Sequence, residues 1–492
     1  MASESRRAHH QVTFAVLAAG VAAYALLQSL VTPVLPTIQA NLHTTQSTVT
    51  WVLTAYLLSA SIFTPIMGRL GDMIGKERVF VATLIALSLG SLLAALAGSV
   101  TVMIVARVIQ GIGGGVLPLA FGIIRDEFPR EKLNGAIGAI ASLSAVGAGL
   151  GIVLAGPIVD ALDYHWLFWL PMILTIAAAV AAHFLVPESP VRTPGRISWA
   201  PALLLSAWLV ALLVALSEAP TWGWGSGKVI GLLVAAVLLA VGWVMVELRA
   251  ATPLIDMNMM RRKAVWTNNL VALLIGVGMY AVFAFLPEFV QTPRAAGYGF
   301  GASITQSGLI LLPSTVTMFL VGMAAGRLAG RVGAKVVVLL GCLVGVVPML
   351  LLAFAHTHTW ELYLATGIMG VGFGLAFAAM SGLIVSAVPP EQTGVASGMN
   401  ANIRTIGGSI GAALMASVVT ANAQPSGLPR EAGYTHGFAM LAGAMLIAAL
   451  AALVIPASRA GRTAAAGLPA DEPAHPELGV VAGGTLIGDK PE

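Results

Sequence analysis

Long apolar stretches and short polar pieces alternate along almost the whole chain. Each apolar stretch is near the ~20 residues that an α-helix needs to cross the hydrocarbon core of a bilayer. The stretches are continuous, unlike the strands of a membrane β-barrel, in which polarity alternates over about 10 residues. The pattern therefore predicts an all-α polytopic membrane protein with fourteen transmembrane helices. The predicted spans are 12–36, 48–68, 79–98, 100–124, 135–160, 166–186, 200–217, 228–247, 265–290, 304–326, 335–355, 360–387, 393–420 and 434–456.

The composition agrees with this prediction and excludes other classes of protein. Of the 492 residues, 58% are hydrophobic and 9% are charged, and the mean hydropathy is +0.90. Soluble domains carry about 25% charged residues, and so an ordinary soluble protein, a disordered chain and a nucleic-acid-binding protein are excluded. The single cysteine, Cys342, cannot form an intramolecular disulfide, which excludes a disulfide-stabilised secreted scaffold.

The lysines and arginines predict how the helices are oriented. If the N-terminus is inside, 20 of the 25 basic residues lie on that side, whereas the other side has only Lys228, Arg294 and Arg430. Because basic residues concentrate on the cytoplasmic side, we expect a plasma-membrane protein with both termini cytoplasmic. The first span is longer than the roughly 7–15-residue core of a signal peptide and is interpreted as an uncleaved helix.

One sequence pattern occurs twice, each time between two predicted spans. Gly68-Arg69-Leu70 begins the first copy and Gly326-Arg327-Leu328 the second, and both follow the form Gly-Arg-Leu-x-x-x-x-Gly-x-Lys. Matching copies predict two six-helix halves, an arrangement found in transporters with a substrate site at mid-membrane. The alternative is that any short cytoplasmic turn favours glycine and arginine.

The repeat also predicts the domain organisation. We expect the two halves to rock against each other and the two extra helices to pack at the periphery. The predicted parts are a cytoplasmic N-terminus at 1–11, six-helix bundles at 12–190 and 253–458, the two extra helices at 191–252, and a disordered cytoplasmic tail at 459–492.

The first copy of the repeat is a candidate gate. Asp72 is expected to help close the inward side through Arg69, Arg78 or a facing helix end, since anions are favoured at helix N-termini. The predicted gating loop consists of Gly68, Arg69, Gly71, Asp72, Gly75, Lys76 and Arg78.

Further motifs occur along most of the chain. They are Arg107-Val108-Ile109-Gln110-Gly111, Trp51…Tyr56, Pro253-Leu254-Ile255-Asp256 and Asn400…Arg404…Gly407-Gly408. Together with the repeated loop, these motifs resemble the fourteen-helix drug:proton antiporter branch of the major facilitator superfamily.

The resemblance implies proton-driven export of small, often amphipathic organic compounds, as in drug or antibiotic efflux. Protons and the lipid bilayer are then partners, no cofactor is needed, and we expect a monomer. The chain departs from the family in two places: Gln28 stands where the first helix has an aspartate, and Ile152 replaces a proline of the fifth. Without that acid, a polycationic substrate is less expected, and neutral, zwitterionic or anionic compounds are more open.

Two arginines fall inside predicted spans. An arginine at a bilayer centre costs about 2.5–3.5 kcal/mol on insertion scales, so Arg107 and Arg404 are expected to face a water-filled or protein-lined space. Arg107, with Gln110 one turn on, could contact substrate or lower the proton affinity of a nearby acid, or it could simply bind a backbone carbonyl. Arg404, with Asn400 one turn earlier, leaves the same two interpretations open.

Glu288 is the candidate proton site. It follows Pro287, which removes a helix hydrogen bond, and broken helices line transport sites. Phe285, Glu288 and Gln291 lie roughly on one helix face, where a desolvated carboxylate could load and release a proton or pair with a cationic substrate. The alternative is a surface glutamate in the outer loop.

Aromatic and polar residues near the first two spans complete the candidate site. Tyr24, Gln28 and Thr32 form a polar stripe at four-residue steps, which serves either substrate contact or hydrogen bonding between helices. Trp51 and Tyr56 could stack on aromatic compounds, although tryptophans near an interface are common.

No catalytic or metal site is predicted. Gly407–Gly411 matches the Gly-x-Ser-x-Gly pattern of hydrolases, which requires a strand–turn–helix setting that a membrane helix does not provide. His356 and His358 share a loop with Glu361 but lack further ligands. A proton-coupled exporter is therefore favoured over an importer or symporter of the same fold, and a membrane enzyme or a non-transporting receptor is a remote alternative.

Overall fold

Among the described residues, fourteen helices are long and apolar enough to span a membrane, in the predicted number and order. A computed structural model describes residues 2–44, 46–189, 199–250, 253–421, 424 and 428–456, so the predicted tail and part of the linker after the sixth span lie outside the described residues. The helices are α1 (His10–Val34), α2 (Trp51–Ile74), α3 (Lys76–Ala95), α4 (Val100–Glu127), α5 (Glu131–Ala161), α6 (Trp166–Leu185), α7 (Trp199–Trp222), α8 (Gly227–Arg249), α9 (Lys263–Gln291), α10 (Ile304–Val332), α11 (Ala334–Phe354), α12 (Thr359–Ala387), α13 (Pro390–Thr420) and α14 (Glu431–Ala452).

The predicted gating loop is mostly helix, which corrects the sequence-based interpretation. α2 continues to Ile74 and α3 begins at Lys76, so Gly75 alone reverses the chain, with φ +123°. Gly333, with φ +90°, makes the same turn between α10 and α11. Only glycine adopts such angles without strain, and one residue is therefore enough for each turn. We call the membrane face that carries these two turns the basic face.

Glycines bring the helices of the N-terminal half into backbone contact. A four-residue 3₁₀ turn, Ile112–Gly115, interrupts α4 and is fully packed against α2. A side chain at Gly111 would overlap with Ser59, and one at Gly114 would overlap with Thr64. Small residues allow this close packing where no hydrophobic effect drives helices together.

Two helix pairs make close contacts between the two halves. α5 packs along α10, where Gly149 accommodates the Thr315 side chain and Gly322 accommodates Ser142. α2 crosses α13 near the basic face, where a side chain at Gly68 would lie 2.5 Å from the carbonyl oxygen of Gly394. Because glycines lie at these contacts, the helices can approach closely, and one helix can slide along the other.

The two extra helices differ in how they contact the bundle. α8 packs on α7 and is largely exposed at the outside of the bundle, as expected for a peripheral helix. Its Glu247 carboxylate accepts hydrogen bonds from the backbone N–H groups of Leu254 (2.9 Å) and Ile255 (3.2 Å). The motif before α9 is thereby attached to the end of α8.

α7, in contrast, contacts both halves on the side away from the basic face. Thr54 of α2 and Ser217 of α7 have hydroxyl oxygens 3.1 Å apart. Just beyond α7, Trp224 donates its indole N–H to the Ser417 hydroxyl of α13 (2.7 Å). α7 therefore lies beside α2 and α13 and connects their ends on the side away from the basic face. The repeat did not predict this position.

Substitution of Gly407 should test the glycine-mediated packing of α9 on α13. A Cβ at this position would overlap with the carbonyl oxygen of Leu273, so Gly407→Ala should cost about 1–3 kcal/mol through overpacking. We expect the apparent melting temperature of the purified protein in detergent to fall by several degrees. Gly443→Ala is the control, because a Cβ there has no neighbour within 4 Å. Equal effects of the two substitutions would contradict this packing.

Candidate transport site

A cavity of ≈ 330 Å³ lies between the two halves. α1, α2, α4 and α5 line it from one half, and α9, α10, α12 and α13 from the other. Most of the lining is apolar with a few polar groups, and the volume is at the lower end of the roughly 300–1,000 Å³ of small-molecule sites. The arrangement is suited to binding one small organic molecule.

The structure brings six of the predicted site residues to the cavity and places six elsewhere. The six that line the cavity are Tyr24, Gln28, Thr32, Tyr56, Arg107 and Arg404. The six that are not among its lining residues are Trp51, Gln110, Phe285, Glu288, Gln291 and Asn400.

Arg107 is fully buried and held in a fixed orientation. Its guanidinium carbon lies 4.2 Å from the centre of the Tyr56 ring. Nε donates to the carbonyl oxygen of Val52 (3.0 Å), and Nη1 donates to Gln110 Oε1 (2.7 Å). Gln110 in turn donates to the Ser91 hydroxyl (3.1 Å), so its role is to position Arg107. Nη2 is buried without a hydrogen-bond partner among the described residues.

Arg404 lies in the opposite half in a similar setting. Its guanidinium carbon is 4.3 Å from the centre of the Phe377 ring, and its Nε is buried without a partner in the described part of the chain. The Tyr280 phenol, which also lines the cavity, is an ionisable neighbour that interacts with Arg404. Asn400, which was predicted to accompany Arg404, instead connects α13 to α9. Its amide donates to Asn269 Oδ1 (2.8 Å).

Several lining residues were missed by sequence reasoning. Tyr280, Phe283 and Phe377 add aromatic surface, and both amide atoms of Asn402 are buried without partners among the described residues. The α9 residues could have been found by extending the Glu288 face inward, since Tyr280, Ala284 and Glu288 are spaced four residues apart. Phe377 gives no such signal, because nothing in the sequence distinguishes it from a lipid-facing phenylalanine.

Glu288 lies one helical turn beyond the cavity, away from the basic face. Ala284, four residues earlier, lines the cavity, and Glu288 itself is exposed. The Tyr434 hydroxyl donates to Glu288 Oε1 (3.0 Å), and Gln291 donates to the Ser307 hydroxyl (3.1 Å). Within the described part of the chain, the carboxylate therefore has one neutral hydrogen-bond donor.

The loop after α9 is held in place by a hydrogen bond and by aromatic stacking. Burial raises the pKa of the Tyr298 phenol, which therefore stays neutral and donates to the Pro429 carbonyl oxygen (2.7 Å). The Tyr298 ring stacks on Phe289, the residue after Glu288. This loop fixes the outer end of α9 against the segment before α14.

The two halves contact each other between the cavity and the basic face. Asp72 makes one of these contacts. Its side chain is fully buried against the start of α13, where a Cβ at Gly394 would lie 3.1 Å from Oδ2. Lys76 Nζ lies 2.6 Å from Asp126 Oδ2 and 3.8 Å from Asp72 Oδ1. Of the three partners predicted for Asp72, the facing helix end is the one placed against it.

The other two predicted partners differ in their contacts. Arg78 pairs with Glu188 instead, with Nε 3.2 Å from Oε2, on a largely exposed surface. Arg69 interacts with Asp72 electrostatically without an ion pair within 4 Å among the described residues.

Arg125, which sequence reasoning missed, donates several hydrogen bonds from one half to the other. From the end of α4 it donates to the carbonyl oxygens of Val385 (2.5 Å) and Val388 (2.7 Å) and to the Thr393 hydroxyl (2.6 Å). A cation is favoured at the C-terminal end of a helix, here that of α12. We call Asp72, Lys76, Arg125 and Asp126 the basic-face latch.

Comparison with known proteins identifies the family. The profile of the Major Facilitator Superfamily matches residues 17–412 and, in a second match, residues 269–482. The chain belongs to this superfamily. It is therefore a multi-pass membrane transporter and not an enzyme.

Individual relatives agree with this assignment. The chain is 30% identical to Multidrug transporter protein MdtP of Bacillus subtilis (strain 168) over 382 residues, which cover 76% of this chain and 69% of that protein. It is 28% identical over 407 residues to the Tetracenomycin C resistance and export protein of Streptomyces glaucescens, covering 82% and 74%. The predicted resemblance to multidrug-efflux members of the superfamily is thus confirmed.

A solved structure has a similar fold. The human organic anion transporter MFSD10 (TETRAN) matches with a TM-score of 0.66 over 90% of this chain and 99% of that one. At 17% identity the likeness concerns the fold alone.

Loss of Arg125 should open the basic face. The reporter is Ser61→Cys, at a position that lines the cavity. Its rate of labelling by a membrane-impermeant thiol reagent added from the basic face measures access to the cavity from that face. The native Cys342 is fully buried. Hydrogen bonds to a charged group contribute about 1.5–3 kcal/mol, so Arg125→Gln should raise the labelling rate about tenfold. Arg261→Gln, at an exposed arginine of the same face, should leave the rate unchanged. An unchanged rate in Arg125→Gln would exclude the latch.

Proposed function

We propose that this transporter exports small organic compounds from the cell in exchange for protons, with the basic face and both termini in the cytoplasm. The carrying observation is the cavity between two halves, closed at the basic face by the latch and lined mainly by apolar side chains. The excess of lysine and arginine at that face supports the orientation. The names of the relatives, which include multidrug transport and antibiotic export, support efflux as the direction.

The latch provides a means of alternation between the two sides of the membrane. It joins the halves through two polar contacts, with Asp72 at the start of α13 and Arg125 at the end of α12. Rocking of the N-terminal half against the C-terminal half would separate both contacts together. The glycine-lined crossings of α5 with α10 would act as the surface on which the halves turn.

We assign the proton site to Glu288. It continues the cavity-lining face of α9 by one turn, and no aspartate or glutamate is among the described residues that line the cavity itself. A proton arriving from outside would meet Glu288 before the substrate site. The rival function is import or symport with the same fold, and it differs in the relative direction of proton and substrate.

Transport in inside-out vesicles tests the exchange. A susceptibility panel on cells with and without the intact protein selects a compound, whose accumulation is then followed in vesicles with an acidic interior. Antiport predicts accumulation that needs no ATP and that a protonophore abolishes. Accumulation driven by an alkaline interior would instead mean that substrate and protons move together, as in a symporter.

Glu288→Gln tests the proton site. If Glu288 carries the proton, its amide variant should lose gradient-driven accumulation by about tenfold or more while keeping downhill exchange, since only the coupling is removed. Asp160→Asn, at an exposed carboxylate near the end of α5 on the same face, should behave as the unaltered protein. Unchanged pH-dependent transport by Glu288→Gln would end the assignment.

A further inference from the structure

The central cavity carries positive charge without a matching negative charge. Arg107 and Arg404 both line it, one from each half. Neither has a carboxylate within 4 Å in the described part of the chain, and their only ionisable neighbours are the phenols of Tyr24, Tyr56 and Tyr280. Tyr24 lines the same cavity and interacts electrostatically with both guanidinium groups.

The contacts that hold the two arginines fix their orientation but leave their charges uncompensated. Arg107 is bound by a carbonyl oxygen, an amide oxygen and an aromatic ring, and Arg404 lies on an aromatic ring. Neutral acceptors and ring faces offset only part of the cost of removing a charge from water. An anion in the cavity would provide the missing compensation.

Unused hydrogen-bond donors indicate the same kind of ligand. Arg107 Nη2, Arg404 Nε and Asn402 Nδ2 are all buried without partners among the described residues. All three belong to side chains that are at least nine-tenths buried, and each can donate to an acceptor such as a carboxylate. Around them, Phe283 and Phe377 supply apolar aromatic surface.

We propose that the cavity selects organic anions: a carboxylate binds between Arg107 and Arg404, and an aromatic or apolar body packs on Phe283 and Phe377. This inference rests on the cavity being the substrate site of the proposed exporter. Gln28, which lines the cavity, offers a cation no ionic partner, and Glu288 lies one helical turn beyond the cavity. A proton and an anionic substrate would therefore occupy different places.

Equilibrium binding to the full chain in detergent, without any gradient, tests the selectivity. The probes are three ligands of nearly the same shape: 2-naphthoate, the neutral 2-naphthamide and the cationic 2-naphthylmethylammonium, each titrated by calorimetry. We expect 2-naphthoate to bind at least about tenfold more tightly than the other two, because only it forms charge-assisted hydrogen bonds with both arginines. Equal affinities, or tighter binding of the ammonium compound, would overturn the proposal.

Variants separate a role of the arginines in binding from a role in folding. Arg404→Gln should remove most of the preference for 2-naphthoate, and Arg404→Lys should retain part of it, with thermal unfolding measured to show that each variant is folded. Arg261→Gln, exposed on the basic face, is the matched control and should bind as the unaltered chain does. A folded Arg404→Gln protein that keeps the full preference would contradict the assignment.

The same experiment distinguishes this inference from the proposed function. Selective binding of 2-naphthoate without proton-driven transport in vesicles would uphold the anion site and reject the exchange. Proton-driven transport of a compound by a protein that binds the three probes equally would do the reverse.

Discussion

The cost of placing a charge inside a bilayer determines the organisation of this chain. On insertion scales it is about 2.5–3.5 kcal/mol for an arginine, lysine or aspartate at a helix centre. Most of the charged residues lie at the two membrane faces. The exceptions are held by specific contacts: Lys76 with Asp126, Arg125 with helix-end carbonyls, and Arg107 with Tyr56 and a backbone oxygen. These buried charges mark the latch and the cavity, whereas buried Glu247 attaches the segment before α9 to the end of α8.

The cavity and the latch depend on each other through the two halves. Arg107 belongs to the N-terminal half and Arg404 to the C-terminal half. Asp72 likewise belongs to the N-terminal half, and the start of α13 that it faces belongs to the C-terminal half. A movement that separates the halves at the basic face therefore also changes the distance between the two guanidinium groups. An anion bound between them would favour the arrangement in which they are close. Substrate binding and closure of the latch would in this way be coupled without any additional element.

The sequence was sufficient for the fold and for part of the site, for physical reasons. Fourteen spans follow from apolar length alone, and Arg107 and Arg404 could be placed in a protected space because lipid does not tolerate them. Arg125 was missed because an arginine at the end of a span is expected to be solvated, and its partners in α12 and α13 are more than 250 residues away. The gating loop was predicted too long because a single glycine with positive φ can turn the chain.

The most direct test of the account is the distance between the two halves at the basic face. Spin labels at Lys132→Cys in α5 and Ser386→Cys in α12, both exposed, report that distance by pulsed electron paramagnetic resonance, and the buried Cys342 should stay unlabelled. The account predicts a dominant short distance in the otherwise unaltered protein and a second, longer one that becomes the major population with Arg125→Gln. A single distance that is the same in both proteins would contradict alternation through the latch.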